Sequence, residues 1–262
     1  MQKPSMLVVL SGGQDSTTCL FWAKREVKKQ GGDVHAITFN YGQRHVCELI
    51  AAQVIGEMAG VVSHEVTTLP VDVLKSSSPL VDMNADVGHY ESEETMPGGV
   101  EPTFVPGRNL LFITLAANYA AHIGCTDIVL GVCEEDFGGY PDCRSDFIDA
   151  AEHAVERAFG HRITIHTPLM NLTKKESVIL AKGLPACLGA LSYSHTCYDG
   201  EYPPNPHNHA SILRAKGFDE ARCGDPLIER AIAEGLLPSD YPTSGLVFGT
   251  KYNEQESNSE PN

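Results

Sequence analysis

Between Met6 and His166, short apolar runs alternate with stretches of helical periodicity, and that alternation leaves few folds open. MLVVL (6–10), VHAITFN (34–40), VVSHEVTTL (61–69), DIVLGV (127–132) and RITIH (162–166) have the apolar, β-branched content of buried strands. Helical segments fall between them: Ser16 to Lys29, about His45 to Ala59, Asn109 to Ile123, and a stretch where Phe147, Ala151, Ala154, Val155 and Ala158 recur at helical spacing. Such repetition predicts βαβ units, hence an α/β protein whose parallel sheet carries helices on both faces. Ligands of these sheets sit off the carboxyl ends of the strands. Three polar segments leave strands at that edge, after Leu10, after Asn40 and after Val132.

Two regions break the pattern. Residues 70–107 hold SSSP, PGG and further prolines without periodicity, as expected of a lid, a binding loop or a disordered segment. After Thr167-Pro168 the chain changes character: Thr173 and Glu176 form a capping box opening a short helix that Gly183 ends. Prolines then cluster at 203–206, a short helix is expected around 208–216, and the polar end NEQESNSEPN is expected to be disordered. The expected organisation is an α/β core over 1–170, a helical C-terminal region over 171–250 and a tail over 251–262, with no internal repeat.

Composition narrows the function classes. The 34 acidic and 19 basic side chains leave a net charge of −15, and no Lys/Arg stripe offers contacts to a phosphate backbone. A small-molecule substrate is therefore favoured over nucleic acid. The longest apolar stretch, Leu110 to Ala121, is too short to span a bilayer, so no membrane partner is expected. MLVVL is shorter than a secretory core and runs straight into a turn. The eight cysteines include no C-x-x-C pair, which fits reduced thiols and a cytoplasmic location.

The turn after the first strand, SGGQDST (11–17), is neither a Walker loop, which needs G-x-x-x-x-G-K-[ST], nor a G-x-G-x-x-G dinucleotide fingerprint. A ligand-free strand-to-helix turn would also accommodate two glycines. Hydroxyls from Ser11, Ser16 and Thr17, with Gly12 and Gly13 opening the backbone before a helix N-terminus, favour an anion-binding loop. It resembles the pyrophosphate loop of the N-type ATP pyrophosphatases, which split ATP between its α- and β-phosphates and adenylate a substrate oxygen.

Three further loops bear on the substrate: FNYGQRH (39–45), TFVPGRNLLF (103–112) and GVCEEDFGGYPDCR (131–144). Taken singly, Arg108-Asn109 reads as a helix cap and the acidic Gly/Tyr/Pro loop as a solvated turn. Together with SGGQDSTTC, and with TPLM (167–170), HTCY (195–198) and LRAKGF (213–218), the chain resembles the QueC family of deazapurine biosynthesis over residues 6–217. That resemblance implies a Rossmann-like adenine nucleotide α-hydrolase fold, a homodimer, ATP with Mg²⁺, and 7-carboxy-7-deazaguanine and ammonium as substrates. With no glutaminase half in this length, free ammonium is the expected nitrogen donor.

The resemblance places ATP against Leu10, Ser11, Gly12, Gly13, Gln14, Asp15, Ser16 and Thr17, with Asp15, Ser16 and Arg108 as the catalytic candidates. Tyr41, Arg44, Arg108, Asn109, Asp136, Tyr140, Asp142 and Arg144 are the candidates for holding the acid. Asp136 and Asp142 would accept from a guanine-like donor edge, Tyr140 would stack on the ring, and Arg44 would face an anionic group.

The family's usual zinc knuckle has four thiolates, but here only Cys197 stands at a ligand position, followed by Asn205, Asn208 and Ser211. Amides and a hydroxyl are poor zinc ligands, so the usual site is not expected. A substitute set of Cys197, His207 and His209, with or without His195, is the weaker alternative, since H-x-H in a proline-rich loop is more often a surface feature. Two alternatives to nitrile synthesis stay open: a divergent relative that stops at the amide or uses another amine, and a non-catalytic nucleotide- or deazapurine-binding module.

Overall fold

The computed structural model describes residues 3–43, 46–70, 72–82, 84–85, 88–90, 100–134, 139–195 and 200–244. The sheet has five parallel strands, β1 (Ser5–Val9), β2 (Asp33–Asn40), β3 (Ser63–Thr68), β4 (Asp127–Val129) and β5 (Thr164–His166), in the order β3-β2-β1-β4-β5. The chain winds outward from β1 to β3, then crosses back to lay β4 on the other side of β1. That reversal opens a crevice at the carboxyl ends of β1 and β4.

Between the strands lie α1 (Gln14–Lys28), α2 (Val46–Ala59), α3 (Arg108–Ile123) and α4 (Ser145–Phe159). Alternation along β1 divides the core: Val8 packs with residues of α1 and α2, while Leu7 packs with residues of α3 and α4. The parallel sheet is thus covered on both faces, as the apolar strand runs predict. Strands β4 and β5 are shorter than their apolar runs, because Leu130 to Val132 and Arg162-Ile163 lie outside the strand ladders.

The C-terminal region adds α5 (Lys174–Lys182), α6 (Cys187–Leu191), α7 (His209–Glu220) and α8 (Pro226–Ala233). The capping box at Thr173–Glu176 is formed, and Gly183 closes α5. Helix α7 runs four residues beyond the expected end at 216, and α6 and α8 carry too few periodic positions to be expected from sequence. Buried residues of α1, α5, α6 and α7 belong to one continuous cluster, so this region shares the core of the α/β unit. No helix among the described residues is long and apolar enough to cross a membrane. The expected tail at 251–262 lies outside the described residues.

Candidate active site

Loop 11–17 is closed by its own side chains. Ser16 Oγ accepts from Ser11 N at 3.2 Å and lies 3.0 Å from Ser11 Oγ, while Thr17 Oγ1 donates to Gly13 O at 2.7 Å. Gly13 is the N-cap of α1, so the helix's first amides and its positive end open at the loop. Two glycines let other segments approach. Gly12, at φ +87°, abuts the first turn of α2, where a Cβ would lie 2.4 Å from Glu48 O. Beyond β4, a Cβ on Gly131 would lie 2.7 Å from Ser16 N.

These contacts frame a cavity of about 320 Å³ at the carboxyl edge of the sheet. Its floor is Val9, Leu10, Phe39 and Leu130, and one end is Ser11, Gly13, Gln14, Asp15 and Ser16. The other end is aromatic. Phe39 stacks on Phe112 with centroids 4.5 Å apart, Tyr41 tilts onto Phe112 at 5.3 Å, and Tyr140 faces Phe104 at 5.4 Å. Tyr140 also shares a hydrogen bond with the Thr103 hydroxyl, and burial pushes its phenol up to about 12. Arg108 opens α3 beside this end, its Nη1 3.4 Å from Tyr41 Oη.

Most of the candidates expected from sequence meet here: Leu10, Ser11, Gly13, Gln14, Asp15, Ser16, Tyr41, Arg108, Asn109 and Tyr140 all line the cavity. Gly12 and Thr17 shape the loop from behind it. Asp142 lies beside Asn109. Its Oδ2 accepts from Asn109 N at 3.2 Å, and its backbone oxygen accepts from Asn109 Nδ2 at 3.0 Å, so the two residues lock the start of α3. Burial raises the Asp142 carboxyl. Arg144 is not brought to the cavity; its exposed guanidinium pairs with Asp146 at 3.3 Å on the outer start of α4. Arg44 and Asp136 lie outside the described residues.

Other residues reach the cavity that were not among the ATP or substrate candidates. Lys174, the first residue of α5, donates to Asp15 Oδ2 at 2.8 Å, and Gly217 of α7 presses on it, since a Cβ there would lie 2.9 Å from Lys174 Cβ. His195 donates its amide to Gly12 O at 2.8 Å and sets Nε2 3.4 Å from Cys47 Sγ. Glu48 lines the wall between the loop and Tyr41. The capping box announced α5 but not its use, and FNYGQRH stopped short of Glu48.

In the segment aligned with the knuckle, the two asparagine side chains bond the backbone. Asn205 Oδ1 accepts from His207 N at 2.9 Å, and fully buried Asn208 caps α7 by accepting from Ser211 N at 2.9 Å. Amide oxygens committed to the backbone do not suit zinc, and among the described residues no group of three or more His, Cys, Asp or Glu is placed to hold a metal. Cys197 lies outside the described residues. The surface expectation for H-x-H is corrected at His209. This histidine is buried on the cavity wall with Nε2 3.4 Å from Glu101 Oε1, because α7 starts at that residue and turns it inward.

Comparison with known proteins gives the arrangement a family. Residues 5–222 match the model of "Queuosine biosynthesis protein QueC". A 7-cyano-7-deazaguanine synthase of Gloeobacter violaceus is 50% identical over 229 residues, 84% of this chain and 94% of that protein. One from Chromobacterium violaceum is 47% identical over 231 residues, 87% and 94% of the two chains. Among solved structures, one described as a predicted subunit of tRNA methyltransferase from Methanocaldococcus jannaschii aligns with a TM-score of 0.45 and 21% identity, covering 68% of this chain and 74% of that one. With the match running from the first strand to the end of α7, through the loop, Arg108 and Lys174, the chain belongs to the QueC family of queuosine biosynthesis.

Proposed function

We propose that this chain is an ATP-dependent 7-cyano-7-deazaguanine synthase that turns 7-carboxy-7-deazaguanine and ammonia into the nitrile through two adenylations. The observation that carries the proposal is the single cavity with a hydroxyl- and amide-lined loop at one end and an aromatic slot beside Arg108 at the other. A carboxylate resists ammonia because oxide is a very poor leaving group. Joining one carboxylate oxygen to AMP makes that oxygen a good leaving group, and ammonia then gives the amide. A second adenylation, on the amide oxygen, permits elimination to the nitrile.

The chain's residues act by position and charge. The loop amides and the α1 N-terminus hold the departing pyrophosphate, with Lys174 beside it. Tyr41, Phe112 and Tyr140 clasp the planar ring, and Arg108 neutralises the carboxylate so that its oxygen can approach the α-phosphate. Mg²⁺ prefers hard oxygen ligands, keeps several waters and takes one or two carboxylates beside substrate phosphates. Asp15 with the loop hydroxyls fits that demand, and the ion would supply charge neutralisation on the phosphates. No step is assigned to zinc. The partners are small molecules rather than nucleic acid.

The test is incubation with ATP, ammonium and the acid, with mass detection of acid, amide and nitrile. Nitrile is expected, with AMP and pyrophosphate. Accumulated amide or a different conjugate would redirect the proposal to a divergent relative, and ATP binding without turnover would leave a binding module.

A further inference from the structure

Glu48 is the unexplained group in the cavity. It lies in the first turn of α2, against the back of Gly12, which places it at the loop end near Arg108 and Tyr41. Among the described residues its carboxylate has no hydrogen bond and no ion pair within 4 Å; the Arg108 charge acts on it from further away, and the residue lines the cavity. Carboxylates in the protein interior are ordinarily paired. One left facing a cavity suits a ligand that brings its own donors and positive charge.

Neither organic ligand meets that description at this end. ATP is an anion, and the acid, whose ring has a donor edge but no positive charge, presents a carboxylate that Arg108 serves. Ammonium is a small cation with four N–H donors, and it must reach the carbon bonded to the adenylated oxygen, which lies between the loop and Arg108. Building on the adenylation mechanism above, we propose that Glu48 is the ammonium-binding residue and the proton acceptor for both nitrogen steps. Dense protein around the carboxyl raises it to about 7, where it can both accept and release a proton near neutrality.

In the first step ammonium gives one proton to the Glu48 carboxylate. The nitrogen lone pair forms the C–N bond as the C–O bond to AMP breaks, and the new amide sheds its surplus proton to solvent. In the second, the adenylated amide is an imidate. Its N–H proton passes to the Glu48 carboxylate, the nitrogen electrons complete the third C–N bond, and AMP leaves with the C–O electrons. Water takes the proton from Glu48 after each step.

The test separates nitrogen transfer from adenylation in E48Q and E48D. Acid-dependent exchange of pyrophosphate into ATP reads adenylation, hydroxylamine reads the acyl adenylate with a nucleophile that is neutral near pH 7, and ammonium chloride reads the full step. E48Q is expected to keep exchange and hydroxamate formation and to lose about 10²-fold or more in kcat/KM for ammonium, with partial recovery in E48D. Amide formation by E48Q at the wild-type rate would overturn the inference, as would equal loss of all three readouts. Absence of exchange in the wild-type chain would overturn the adenylation mechanism and, with it, this role.

Discussion

Lys174 Nζ lies 2.8 Å from Asp15 Oδ2, joining residues 159 positions apart at the mouth of loop 11–17. Both side chains are largely buried, so each holds the other's charge in place before ATP arrives. Removing one partner shifts the charge balance of the loop. Asp15→Ala is expected to abolish ATP consumption with the fold intact by circular dichroism, and Lys174→Met to lower kcat about 10²-fold or more. Undiminished turnover in Asp15→Ala would remove the loop from the mechanism.

Gly131 tests the loop without touching its chemistry. A methyl there would meet Ser16 N at 2.7 Å and Asp15 C at 3.0 Å, both backbone atoms that cannot swing aside. Gly131→Ala is therefore expected to displace the start of α1 and raise the KM for ATP, while costing about 1–3 kcal/mol of stability. Unchanged ATP kinetics by steady-state assay would show that the close approach is not needed.

The raised Glu48 carboxyl has a stability signature of known sign. Its folded value is about 7 against an ordinary 4.5, so the folded chain binds more protons than the unfolded chain between those values. Stability from this group is therefore greatest below the ordinary value and is lost as pH rises toward about 7, by at most roughly 3 kcal/mol. Glu48→Gln carries no such charge. Urea unfolding should find the variant more stable than wild type at about pH 8 and nearly equal at about pH 4.5. A difference that does not change with pH would contradict the assignment.

The knuckle segment is held to α8 by contacts that need no metal. The Arg230 guanidinium lies 4.4 Å from the ring centre of Tyr193 and 4.3 Å from that of Tyr202, and Nε donates to Tyr202 Oη at 2.8 Å. Tyr202 Oη in turn donates to Glu234 Oε2 at 2.8 Å, tying the segment to α8. Arg230→Ala is expected to lose about 1–3 kcal/mol in unfolding. Chelator should leave the wild-type Tm unchanged, and elemental analysis should find no stoichiometric zinc. Zinc at one equivalent per chain would refute a metal-free knuckle (~1 by any structural-site stoichiometry).

The fold was legible because short apolar runs and period-3.6 patterns are local, so the strands and the helices between them could be read before any packing. The loop was legible because Ser11 to Thr17 act within one turn. Lys174 and Glu48 were not, since each reaches the cavity only when α5 or α2 packs against β1's turn; His195, read from sequence only as a metal alternative, arrives with the segment after α6. Asp142 shows the converse. Its residue type suggested a contact to a guanine-like edge; its bond from the Asn109 amide, set by how the 3-10 turn at Pro141–Cys143 meets α3, is one that residue type does not announce.

The central claim is that both oxygens of the acid leave on AMP. Conversion of acid carrying ¹⁸O at both carboxylate positions, followed by mass spectrometry of the AMP formed, tests it directly. Two singly labelled AMP molecules per nitrile are expected, one from each adenylation. Unlabelled AMP, or label released to water, would contradict adenylation of the substrate oxygen and the mechanism built on it.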